Sequence, residues 1–126
     1  NVYGDRQPTK GQYAPVIGLF KRQKENGELM TVVGDGMQTR DYTHVKDVVS
    51  ANLLATECEE GFGEIFNIGT GVSHSVLDLV KFIGGAFTNL PPRLGESRHT
   101  QADNSKAKEI LKWEPKLTLK EYFKCK

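Results

Sequence analysis

The sequence has little cysteine: two residues in 126, Cys58 and Cys125. Cys125 sits at the chain end and the pair follows no spacing pattern, so a disulfide framework is excluded. A reducing compartment, the cytoplasm, is expected. No His or Cys cluster has ligand spacing, so no metal site is expected. Long apolar runs are missing too. None approaches the ~18–20 residues of a membrane span, and no signal segment is visible. One-sided charge is also lacking, with 17 basic and 16 acidic residues and a net charge of +1. That balance gives no broad basic field, so nucleic acid is not an expected partner. Any anion must be met by a few placed side chains. There is no internal repeat, low-complexity tract or linker, so residues 1–126 read as one domain. A domain of this size can bury a core without staples. The first residue is Asn, not Met, so the chain reads as a piece of something longer or as a processed chain.

What is present alternates between two periodicities. Residues 1–3 suit the tail of a strand, and residues 4–11, with Gly and Pro, a loop. Pro15 fits a first helical position, and Val16, Ile17, Phe20 and Gln23 fall on one face of a helix that ends near Asn26-Gly27. Residues 30–33 are a β-type run, Gly34-Asp35-Gly36 is a turn, and residues 38–45 suit a second extended segment. Asp47 is the expected N-cap of a helix over 48–58, with Val48, Val49, Leu53 and Leu54 at helical spacing. Residues 64–68 read as a strand closed by Gly69-Thr70-Gly71. Ser73 or Ser75 caps the next helix, which carries Val76, Leu79, Val80 and Ile83 and ends at Gly84-Gly85. Residues 88–96 read as loop, and 99–102 as a short strand. A helix capped by Asp103, Asn104 or Ser105 runs to Leu111-Lys112, and Thr118 with Glu121 forms a capping box for the last one. The alternation predicts a mixed α/β or α+β fold.

One stretch carries most of the information. In VVGDGMQTRDYTHVKDVV an apolar strand enters a glycine turn and a single arginine, Arg40, follows. Guanidinium is a planar fork of donors that matches phosphate oxygens. From the residues alone, an ordinary surface pair with Asp41 or Asp35 is the simpler reading.

The segments NVYGDRQ, YAPVI, GDGMQTRDYTHVKDVVSANLLA, FNIGTG, SHSVLDLV, PPRLGESRHTQADNSKAKEILKWEPK and TLKEY, in that order, resemble the C-terminal half of the extended short-chain dehydrogenase/reductases. Within them the chain is most similar to nucleotide-sugar 4-epimerases of the UDP-glucose type. The resemblance implies a C-terminal substrate domain without its N-terminal NAD-binding Rossmann domain. It also implies that the catalytic Tyr-x-x-x-Lys and the glycine-rich NAD loop lie upstream. In such enzymes a tyrosinate takes the sugar 4-hydroxyl proton while hydride passes to NAD and returns to the other face. The chain is then expected to hold the nucleotide sugar, a UDP-sugar, to be inactive alone and not to bind NAD alone. Other implied readings are a stand-alone sugar-nucleotide-binding or assembly module, or the same part of a dehydratase, decarboxylase or reductase.

Carried over by position, the resemblance makes Arg40 a contact to the diphosphate or adjoining ribose, and Arg93 its partner from the other side. Glu96 is placed to accept from ribose hydroxyls, a role that suits a carboxylate. Asn1 meets the diphosphate or sugar, Gln12 and Tyr13 lie near the sugar or nucleotide, and Thr31 and Val33 flank the base. For Arg93 and Glu96 an exposed ion pair, and for Val33 plain core packing, are the ordinary alternatives. Arg98 is a local competitor and ranks lower. No residue of the chain is expected to be catalytic. Tyr42 to Lys46 spells Tyr-x-x-x-Lys in an extended segment, where residues four apart stand ~13 Å apart. Tyr122 to Lys126 repeats the spacing at the chain end. Both are read as coincidence, and Gly69-Thr70-Gly71 is not read as a dinucleotide loop because His74 stands at the place of the third glycine. Helix 48–58, Phe66 and Ile68 are expected to pack on the missing domain. Alone they would favour a homodimer or exchanged elements.

Overall fold

A computed structural model describes residues 1–11 and 14–124. The order is β1 (Val2–Tyr3), α1 (Val16–Glu25), β2 (Met30–Val33), β3 (Thr39–Asp41), β4 (Thr43–His44), α2 (Val45–Glu57), β5 (Ser73–Ser75), α3 (Val76–Ile83), β6 (Phe87–Leu90), α4 (Ser105–Ile110) and α5 (Leu119–Lys124). The fold is mixed α/β. Among the described residues the strands form three two-stranded ladders: β1 with β4 and β2 with β6 are parallel, and β3 with β5 is antiparallel.

The main core joins α1, β2, α3 and α5. Ile17 and Phe20 of α1 meet Met30 and Val32 of β2, Leu79 and Val80 of α3, and Leu119 of α5. Helix α1 forms because its apolar side chains recur at helical spacing. It stops where Asn26 caps it and Gly27 turns at φ 71°. Pro15 is the N-cap rather than the first helical residue. Ser75 begins α3 with a full capping box, its side chain accepting from the Asp78 N–H while Asp78 accepts from the Ser75 N–H. A second cluster gathers Ala51, Ala107, Leu111 and Trp113. The Trp113 Nε1–H donates to the Asp47 carbonyl and the Ser50 hydroxyl, both at 3.0 Å, so this ring is a core anchor.

Several expectations are corrected. Asp47 is not the cap of α2. The helix starts at Val45, three residues earlier than expected, and the His44 Nδ1 accepts from the Lys46 N–H at 3.1 Å. The Asp47 carboxylate instead accepts the N–H groups of Lys116 and Leu117, each at 3.1 Å. Tertiary donors outcompete the local cap because Asp47 is buried and must be satisfied. Residues 38–45 are not one strand but β3 and β4 on different partners, separated by Tyr42.

Residues 64–68 pair with no strand among the described residues; Phe66 and Ile68 pack on the second cluster, and Ile65 is exposed. Residues 99–102 hold a single bridge, Thr39 with His99. The expected loop 88–96 begins as β6, in register with β2 from Met30 opposite Phe87 to Val33 opposite Leu90. That strand is exposed along its length, so it carries no buried-face alternation to betray it. Gly36 is obligatory at the end of β2. It has φ 72°, and a Cβ there would stand 2.7 Å from a Val32 methyl and 2.8 Å from Leu77.

Candidate functional site

The alternation of β2 sets one wall of the site. Met30 and Val32 point into the core, so Thr31 and Val33 face the other way, onto a cavity of 510 Å³. Thr31 is held by Gln23 of α1, whose amide donates to its hydroxyl at 3.0 Å and accepts its N–H at 3.1 Å. The ladder of β6 on β2 brings the following loop to the same end. The Gly34 N–H donates to the Leu90 carbonyl at 2.9 Å, and the Asn89 amide donates to the Gly34 carbonyl at 2.7 Å. Arg93 and Glu96 follow directly and line the cavity.

Strand β3 supplies Arg40 on one face and Asp41 on the other. Arg40 is largely buried, with its side chain 14% exposed. Its Nη1 donates to the Thr39 carbonyl at 2.8 Å, and its Nη2 meets Glu96 Oε1 at 3.3 Å. Asp41 points inward and is gripped by the Gly69-Thr70-Gly71 turn. It accepts from the Thr70 N–H and hydroxyl at 2.9 and 2.5 Å, the Gly71 N–H at 2.8 Å and the Ala102 N–H at 3.2 Å. This grip fixes the strand that carries Arg40.

Asn1, Thr31, Val33, Arg40, Arg93 and Glu96 therefore line one cavity. Gln12 and Tyr13 lie outside the described residues. Arg93 has no ion pair among the described residues, which leaves its guanidinium free to meet an anion. Arg98 is committed elsewhere. It makes a two-pronged pair with Asp35, 2.8 Å on each side, and with the Met37 N–H this holds the Asp35 carboxyl down at about 2. Both partners are exposed, so the pair adds little stability. A second cavity of 420 Å³ adjoins the first and shares Val33, Gln38, Arg93 and Glu96 with it.

Among the lining residues that the sequence reading did not assign to the site are Gln38 and Tyr42. Gln38 is buried between the cavities. It stands two residues before Arg40, where alternation would have put both on one face of a single strand. Tyr42 also lines the larger cavity, with a buried hydroxyl that has no partner among the described residues. Burial pushes its phenol up to about 12, with smaller opposed effects of Arg40 and Glu96, so it is no base near neutral pH. The second Tyr-x-x-x-Lys match ends at Lys126, outside the described residues. No helix among the described residues is long and apolar enough to cross a membrane.

The profile of the NAD-dependent epimerase/dehydratase family matches residues 1–69. The chain belongs to that family. It is 41% identical over 127 residues to UDP-glucose 4-epimerase of Mycolicibacterium smegmatis, covering 96% of this chain and 40% of that protein. It is 34% identical over 127 residues to UDP-glucuronic acid decarboxylase 1 of Arabidopsis thaliana, covering 96% of this chain and 28% of that one. The fold superposes on UDP-glucose 4-epimerase of Thermotoga maritima, solved with UDP-glucose, at a TM-score of 0.89 and 44% identity. That match covers 98% of this chain and 41% of the other. The chain thus spans about two fifths or less of the epimerase/dehydratase relatives it matches.

Proposed function

We propose that this chain is the nucleotide-sugar-binding part of an NAD-dependent UDP-sugar 4-epimerase. It grips the diphosphate between Arg40 and Arg93 and the ribose at Glu96, while Thr31 and Val33 flank the base. The observation that carries this reading is the convergence on one cavity of six residues assigned from the sequence, two of them arginines. A firm hold on the constant diphosphate leaves the sugar free to turn, which serves a reaction that must present both faces of one carbon. NAD supplies the hydride acceptor in the family, but the glycine turn of this chain does not fit it. The Thr70 and Gly71 N–H groups of the Gly69-Thr70-Gly71 turn are taken by the Asp41 carboxylate and are not offered to a pyrophosphate. The acid, base and hydride chemistry is assigned to an N-terminal NAD-binding domain of the whole protein.

Calorimetry of the 126 residues with UDP and UDP-glucose tests this, and binding in the millimolar range or tighter is the expected result. No heat at millimolar UDP would sink the reading. Incubation with NAD and UDP-glucose is expected to yield no UDP-galactose, and sustained turnover would overturn the assignment of the chemistry elsewhere. The likeness to a decarboxylase favours a second reading, the same part of a UDP-glucuronic acid decarboxylase. Tighter binding of UDP-glucuronic acid than of UDP-glucose would select it.

The outward face of α2, with Val45, Val49 and Leu53 four residues apart, is exposed, as are Phe62 and Ile65, whereas Phe66 and Ile68, expected to lack cover, pack on the second cluster of this chain. In a chain of the relatives' length the NAD-binding domain covers this face. Alone, the 126 residues are expected to self-associate in light scattering. A monodisperse monomer that binds no hydrophobic dye would count against that cover.

A further inference from the structure

Gln38 is 7% exposed and stands on the wall shared by the two cavities. Its amide is held in one orientation, because Nε2 donates to the Val33 carbonyl at 3.0 Å. The flipped amide would set two acceptors against each other, since a carbonyl can only accept. Its backbone is fixed as well, the Gln38 carbonyl accepting from the Val76 N–H at 3.2 Å where α3 begins. One of the two amide hydrogens and the backbone carbonyl are therefore spoken for. The amide oxygen, Oε1, accepts no hydrogen bond among the described residues. It is not one of the sealed, unpartnered polar atoms of the described residues, so it reaches solvent and is available to a ligand donor.

The neighbours on this wall narrow what that is. Arg40 and Arg93 offer only donors and suit phosphate oxygens. An amide oxygen does the opposite, since a diphosphate at neutral pH has no proton to give it. Glu96 is the other acceptor, but it is charged and is paired with Arg40 until a phosphate replaces it there. Gln38 is thus a neutral acceptor of fixed direction, next to Val33 and beside the anion-seeking arginines.

We infer that Gln38 Oε1 accepts a hydrogen bond from the nucleoside of the bound nucleotide, from a base imide N–H or a ribose hydroxyl, and so sets nucleoside specificity. This rests on the nucleotide reading above. A uracil base carries an imide N–H, and a cytosine presents an acceptor there, so the same oxygen that holds one repels the other.

The test is calorimetry of the 126-residue chain and of its Gln38→Met variant with UDP, N3-methyl-UDP and 2′-deoxy-UDP. The wild type is expected to bind one analogue roughly tenfold more weakly than UDP, as one neutral hydrogen bond implies. Gln38→Met is expected to bind UDP weaker by a similar factor and to lose its discrimination against that same analogue. Loss for N3-methyl-UDP identifies the base, and loss for 2′-deoxy-UDP the ribose. Equal ratios among the three ligands in both proteins would overturn the inference and leave diphosphate binding standing. Absence of any UDP binding by the wild type would overturn both. Thermal melting shows whether the variant folds. If it does not, a wild type that binds both analogues as well as UDP still overturns the inference.

Discussion

Arg40→Ala is expected to weaken UDP binding by about 2–3 kcal/mol, roughly 30- to 150-fold. The side chain is only 14% exposed, so its charge is poorly screened by water. Its direction is set by the Thr39 carbonyl on Nη1, which leaves Nη2 turned toward the cavity side that holds Glu96. The contact to Glu96 is long for a charge-assisted bond, at 3.3 Å, so a phosphate oxygen can replace it at small cost. Glu96 is then released to accept from a diol. Arg40→Lys is expected to recover only part of the loss, because an ammonium cannot hold the Thr39 carbonyl and a phosphate in one plane. Calorimetry checks both variants, with melting curves to show that they fold. Wild-type affinity in Arg40→Ala would remove Arg40 from the site.

Asp41→Ala is expected to cost about 3–5 kcal/mol of folding stability, most of the reserve of a small domain. The carboxylate gathers three backbone N–H groups and one hydroxyl from two distant segments. Removing it strands those donors in a buried place, where each unmet group carries its own penalty. Asp41→Asn is not expected to rescue the fold, because an amide brings two donors of its own to a ring of donors. The Gly69 position leaves no slack: a Cβ there would stand 2.5 Å from Ala102 and 2.9 Å from the Asp41 carboxylate. Urea unfolding measures the loss as a shift of the midpoint. A variant within about 0.5 kcal/mol of the wild type would show that the grip is not structural.

Those two neighbours on β3 show how much was legible. Arg40 could be named because guanidinium beside a glycine turn suits phosphate and the surrounding motif fits a family. Asp41 looked like an idle partner for Arg40, since its real partners lie about 30 and 60 residues on. Asp47 misled for the same reason: a capping residue type in a capping position was taken by Lys116 and Leu117. The strand Phe87–Leu90 was hidden because all four of its residues are exposed. Helices α1 and α3 were readable because their apolar stripes and the Ser75–Asp78 box are local.

The sequence by itself determined the family, the mixed α/β class and the identities of the cationic and acidic groups that surround the cavity. These follow from residue types and local order, which hold before the chain folds. Only the tertiary structure decided which of them meet. The parallel ladder of β6 on β2 carries Arg93 and Glu96 to the end of Val33, some sixty residues back along the chain. The grip on Asp41 fixes β3 so that Arg40 faces them. The orientation of Gln38 exists only because the Val33 carbonyl is there to accept from it. Long-range pairing of backbone groups, invisible to local propensity, turns a set of plausible residues into a cavity with a direction.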